Sequence, residues 1–113
     1  MYDAILLVQT NCTPGHEEEF ERWYIETHLR DVTALPAFTA ATLHRNGEVP
    51  LHRDQPAPDA KFGYVAVYEI EGDPNVAAMQ LADARSGMAL SEYLEAEKWS
   101  IVYNRISDRV TGA

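Results

Sequence analysis

Residues 17–38, EEEFERWYIETHLRDVTALPAF, decide how this chain is read. At 3.6 residues per turn, Phe20, Trp23, Tyr24, Thr27 and His28 fall at i, i+3, i+4, i+7 and i+8, which is one continuous stripe on a helix. Glu17, Glu18, Glu21 and Arg22 take the opposite side. An ordinary packing stripe is Leu, Val and Ile, whereas the last two turns here carry Trp, Tyr, Thr and His. Each of these needs a hydrogen-bond partner if buried, so either neighbouring structure supplies one or the face borders a polar cavity.

Working outward, Thr13-Pro14 reads as an N-cap and first helical residue, with the acids at 17–19 near the favourable end of the helix dipole. The helix is expected to run to about His28. The following LRDVTALP is expected to be irregular or a single turn, ending at Pro36. Tyr2 to Thr10 is short and apolar and reads as a strand, separated from the helix by a turn at Asn11 to Gly15. Phe38 to Arg45 reads as a second strand, with Phe38, Ala40, Thr42 and His44 on one parity. Phe62 to Ile70 is the clearest strand, with Tyr64, Ala66 and Tyr68 on one face.

Between these strands, residues 46–60 carry three prolines and a glycine, a long connection that reads as a pocket lid or a dimer arm. Asp73-Pro74 repeats the cap-then-proline signal and opens a weakly amphipathic helix ending near Gly87. Ser91 to Lys98 is expected to add a short helical turn, and Trp99 to Ile106 a last strand. The order is βαββαβ. It predicts an α+β, ferredoxin-like domain spanning residues 1–113, a four-stranded antiparallel sheet with two helices on one face. The bare sheet face predicts a sheet-to-sheet homodimer.

Eighteen acidic against nine basic residues give a formal charge of −9, which argues against nucleic acid and anionic membrane surfaces as partners. No apolar run approaches the roughly 20 residues that span a bilayer, and no signal-peptide pattern opens the chain, so a cytoplasmic location is expected. The single cysteine, Cys12, has no internal thiol partner. HEEE at 16–19 lacks a second histidine at helical spacing, and no phosphate loop or flavin fingerprint is present, so neither a metal nor an organic cofactor is expected.

The segment FERWYIETHLRDVTALPAFTAATLHR, residues 20–45, resembles the EthD-like branch of the dimeric α/β-barrel superfamily. Trp23, Tyr24, His28, Leu29, Asp31, Pro36, Phe38 and Arg45 carry the likeness, and YVAVYEIEGDP at 64–74 resembles the third strand and the turn into the second helix. Arg30 stands where the family pattern commonly has proline, and Ala37 where it has glycine. The resemblance implies a dimeric α/β barrel with a small hydrophobic pocket in each subunit and the helix histidine projecting into it. Relatives include lactone isomerases, polyketide cyclases and cofactor-free monooxygenases.

His28 is the candidate acid-base group, since a lone imidazole titrates near neutrality; its bland alternative is a core histidine bonded to backbone. Tyr24 either donates to a developing enolate or caps the core with its hydroxyl. Asp31 either orients His28 or caps the next segment. Trp23, His44, Tyr64 and Tyr68 are the candidate substrate-binding residues. His44 reads equally as a rim residue, and the two tyrosines as dimer contacts. The function expected is isomerisation, cyclisation or lyase chemistry on a small hydrophobic carbonyl-bearing aromatic or polyketide-like molecule. A cofactor-free monooxygenase and a non-catalytic ligand-binding dimer are the alternatives.

Overall fold

The computed structural model describes residues 1–112. Four strands, β1 (Ala4–Thr10), β2 (Phe38–Arg45), β3 (Tyr64–Ile70) and β4 (Trp99–Asn104), form one sheet in the order β2-β3-β1-β4, with every neighbouring pair antiparallel. Two helices pack on one face. Helix α1 covers residues 17–33 and α2 covers Pro74–Ala84, followed by a 3₁₀ turn at Arg85–Gly87. This is the ferredoxin-like βαββαβ arrangement anticipated from the element order.

Helix α1 differs from expectation at both ends. Thr13 and Pro14 do not open it, because Gly15 adopts a left-handed φ of 89° and turns the chain first. The helix starts at Glu17, whose carboxylate accepts from the Gly15 amide at 3.1 Å. Nor does it stop at His28. Residues Tyr24–His28 form a π turn, marked by the Leu29 N–H donating to the Tyr24 carbonyl, and α-helix resumes over Leu29–Thr33. No Gly or Asn follows His28 to end the helix, and Val32 is buried, so the core holds one further turn in place. The widened turn contains both Tyr24 and His28.

Helix α2 follows its sequence signal closely. Asp73 accepts from the Asn75 amide at 2.9 Å as N-cap, with Pro74 in the first turn. Ser91 to Lys98 does not form the expected helical turn. After a turn, Leu94 bridges to Cys12, held by Thr13 N–H to Tyr93 O at 2.8 Å and Glu95 N–H to Asn11 O at 3.0 Å. The segment is therefore a strap tied to the end of β1.

Register follows from burial. On β3 the residues Tyr64, Ala66, Tyr68 and Ile70 are all buried under the helices, and Leu6 of β1 stands opposite Tyr68. Phe20 is fully buried at the centre of the aromatic core, with ring centroids 5.0 Å from Tyr64 and 5.6 Å from Tyr24. Strand β2 contains a bulge between Phe38 and Ala40. Phe38 faces the core, and beyond the bulge Ala41 and Leu43 take that face, pairing with Tyr68 and Ala66. The opposite sheet face presents Ile5, Leu7, Val65, Val67, Trp99, Ile101 and Tyr103, and no helix covers it. No helix of the described residues is long and apolar enough to cross a membrane.

Candidate functional site

A cavity of about 530 Å³ lies between the sheet, α1, α2 and the strap. It lies where α2 offers two alanines at consecutive positions. Ala77, Ala78 and Leu81 line it, and they leave space that the aromatic residues of α1 fill on the other half of the sheet. Strands β1 and β4 supply Leu6, Val8, Thr10, Ser100 and Val102 as the floor, and α1 supplies Trp23, Tyr24, His28 and Val32 as one wall. The strap and the turn after α2 add Met88, Leu90 and Leu94. Trp23 donates from its indole Nε1 to the Ala89 carbonyl at 2.9 Å, which ties α1 to that turn.

The His28 imidazole stacks on the Trp23 indole, with centroids 4.9 Å apart and planes 20° apart, and meets the edge of Tyr24 at 5.2 Å. Its Nδ1 is buried with no hydrogen-bond partner. Burial lowers the imidazole pKa from its ordinary 6.5; Asp31 opposes that shift and Lys98 adds to it. Tyr24 is buried, which raises its pKa, while the neighbouring hydroxyls of Tyr68 and Thr10 partly offset the rise. Tyr68 is raised more strongly, by burial and by Tyr24 beside it. At neutral pH the wall therefore holds a neutral imidazole and two protonated phenols. The Tyr68 hydroxyl and Thr10 Oγ1 are buried beside the Tyr24 hydroxyl without closing a full hydrogen bond, and His28 Nδ1 has no partner at all. A neutral base and uncharged donors around one apolar space can move a proton at carbon and stabilise the oxygen that gains charge.

Of the residues expected from the sequence, the structure brings His28, Tyr24, Trp23 and Tyr68 to the cavity. The other three lie elsewhere. Tyr64 donates to Glu21 Oε2 at 2.6 Å, and Arg45 binds the same oxygen at 3.0 Å, so Tyr64 ties α1 to the sheet outside the cavity. Burial and the Glu21 carboxylate push its phenol pKa up, which keeps it a donor. His44 lies on the uncovered sheet face opposite Val65, because the β2 bulge breaks the alternation that would have put it beside Phe38; its Nδ1 is 3.3 Å from the Val65 carbonyl. Asp31 neither lines the cavity nor bonds to His28, and it reaches the imidazole only as a nearby charge. Residues 46–60 contribute nothing to the cavity wall. Among the described residues, no three His, Cys, Asp or Glu side chains gather closely enough to share a metal ion.

Thr10, Ser100, Arg85 and Lys98 line the cavity without having been singled out. Thr10 was readable in principle, since it shares the buried parity of Ala4 and Leu6 and is the polar residue at that strand's end. The rest arrive from edge-strand and connecting segments whose placement depends on tertiary structure.

No family model matches the chain, and no curated protein sequence does. Solved structures do match over nearly the whole length. HapK from Hahella chejuensis superposes with a TM-score of 0.60 at 16% identity, covering 97% of this chain and 99% of its own. A monooxygenase from Streptomyces coelicolor, in complex with nanaomycin D, gives 0.56 at 11% identity, covering 98% and 94%. An EthD family protein from Bacillus halodurans gives 0.52 at 13%, covering 91% and 99%. At these identities the likeness is one of fold, the ferredoxin-like one.

The depressed His28 pKa makes stability depend on pH in a definite direction. The unfolded imidazole takes up its proton near 6.5 and the folded one only below that, so His28 costs no stability above pH 6.5 and costs progressively more as pH falls through the folded value. Urea unfolding from pH 7.5 to 5 is expected to show wild type losing more stability on acidification than His28→Gln, with the imidazole NMR signal titrating below 6.5. Equal slopes, or a midpoint above 6.5, would contradict the assignment.

Proposed function

We propose that the cavity binds a small, largely apolar carbonyl compound and that His28 moves a proton at the carbon next to the carbonyl. The observation that carries this reading is one apolar cavity whose wall places the buried imidazole of His28 beside the hydroxyl-bearing side chains of Tyr24, Tyr68 and Thr10. Leaving a buried polar group unsatisfied costs about 1–3 kcal/mol, and His28 Nδ1, which has no partner within the chain, is a cost better explained by function than by packing. A cavity of about 530 Å³ lies within the usual range for small-molecule sites.

In this mechanism neutral His28 takes the α-proton, the electron pair moves onto the carbonyl oxygen, and the Tyr68 hydroxyl, assisted by Tyr24, donates to the resulting enolate. Return of the proton at another carbon isomerises the substrate. Attack of the enolate on a second carbonyl closes a ring, and expulsion of a leaving group gives a lyase. No metal or organic cofactor takes part. Asp31 assists by its charge alone, favouring the imidazolium formed in the step.

A second reading is favoured by the Streptomyces coelicolor neighbour, a monooxygenase. The same carbanion would react with molecular oxygen, converting a CH₂ group and O₂ into a carbonyl and water. Both readings begin with proton removal at His28. A non-catalytic binding role would need the cavity but no proton transfer.

The subunit is proposed to work as a homodimer joined through the uncovered sheet face. Support comes from the seven apolar side chains there, with Trp99 and Tyr103 each half exposed in the single chain.

Exchange in deuterated buffer separates these readings, with 2-tetralone as a small apolar ketone probe. Deuterium incorporation at its activated carbon, followed by NMR, is expected above buffer background with wild type and to fall by about 10²–10⁴-fold in His28→Gln. Dissolved-oxygen consumption in the same samples would mark the monooxygenase branch. Exchange that is unchanged in His28→Gln would remove His28 from the chemistry. For assembly, sedimentation equilibrium is expected to give twice the chain mass for wild type and a monomer for Ile101→Lys; a monomeric wild type would overturn the dimer.

A further inference from the structure

We infer that the cavity selects ligands bearing a carboxylate, held at the cavity rim by Arg85 and Lys98. The inference rests on the reading of the cavity as a ligand site and adds the chemical class of what enters it. The chain has eighteen acidic residues and nine basic ones, yet the charged side chains lining the cavity are Arg85 and Lys98, with no Asp or Glu among the described lining residues. The wall thus inverts the composition of the whole molecule.

Arg22, Arg45, Lys61 and Arg105 each have a carboxylate within 4.0 Å. Arg85 and Lys98 have none among the described residues, as is also true of Arg30, Arg53 and Arg109, but of these five only Arg85 and Lys98 line the cavity. They also come from separate elements. Arg85 begins the 3₁₀ turn after α2, and Lys98 precedes β4 on the strap. Proximity to the end of α2 accounts for a cation at Arg85 through the helix dipole, but it gives no reason for Lys98, which follows no helix end. A shared anionic ligand accounts for both.

The two cations are suited to the task. A guanidinium matches a carboxylate with two parallel hydrogen bonds, and an ammonium adds a point charge that adapts to its position. Exposure leaves them hydrated when the cavity is empty, so neither carries a large cost for standing unpaired. Lys98 also contributes to lowering the His28 pKa, which places its charge within electrostatic reach of the imidazole. A ligand with its carboxylate at the rim would therefore extend inward toward His28, Tyr68 and Thr10. Aromatic or alicyclic keto acids have that shape: an anion at one end, an apolar body, and a carbonyl at the other.

Calorimetric titration with 1-naphthoate and its neutral counterpart 1-naphthamide tests the inference. Wild type at low salt is expected to bind naphthoate at least about tenfold more tightly than naphthamide, with the advantage shrinking in 0.5 M salt. The double variant Arg85→Gln, Lys98→Gln is expected to reduce the advantage below about threefold while leaving naphthamide affinity unchanged. Arg85→Lys, which keeps the charge, should retain most of it, and melting curves confirm that the variants are folded. Equal affinity for the two probes, or an advantage that survives the double variant, would overturn carboxylate selection while leaving an apolar ligand site intact. Failure of both probes to bind wild type would overturn the ligand site and the selection together.

Discussion

Packing of Phe20 against β3 fixes where α1 lies, and the cavity depends on that placement. Its ring is fully buried among Trp23, Tyr24 and Tyr64, and burying a side chain of this size contributes about 1.5–3 kcal/mol. One residue further on, Glu21 accepts from Tyr64 and pairs with Arg45, so the same turn is tied to both β2 and β3. With α1 held at its first turns, the π turn over Tyr24–His28 widens the helix where it passes the cavity. Tyr24 and His28 are presented from that widened turn, which is a common place for functional side chains.

The two halves of the core are unequal. Under α1 the space between helix and sheet is filled by aromatic rings, whereas α2 lines the other half with Ala77, Ala78 and Leu81. Filling that half with larger residues would have been the simpler route to stability. Instead the sheet and α1 bring an imidazole and three hydroxyl-bearing side chains to its wall, where His28 Nδ1 is buried without a partner. Stability is given up in one region, and the polar atoms concentrated there have complementary roles: a base in its neutral form and donors that keep their protons. Such a conflict between local packing rules and an otherwise consistent core is expected at a working site.

Element order and type were legible because the signals are local. Apolar runs marked β1 and β3, and Asp73-Pro74 marked the start of α2. The end of α1 was not legible from the stripe alone. A helix with no terminating Gly continued until Val32 was buried, four residues before Pro36. His44 was misplaced because a β-bulge has no strong sequence mark, and one extra residue exchanges the two faces of a strand. Tyr64 and Tyr68 share a face, as alternation required. Which of them meets the cavity was decided by Glu21, a contact 43 residues away in the chain. Arg85 and Lys98 were invisible for the same reason, since no local pattern reports that two connecting segments line one cavity.

The central claim is that the cavity's polar atoms are held for a ligand and not for the fold. Urea unfolding of wild type and Tyr68→Phe, at one protein concentration because an assembly's midpoint depends on it, tests this most directly. Removing a buried hydroxyl that closes no full hydrogen bond, while keeping the ring, is predicted to leave stability unchanged or raise it. A loss of about 1 kcal/mol or more would show that the hydroxyl is bonded within the folded protein, and the account of an unsatisfied, ligand-ready wall would be contradicted.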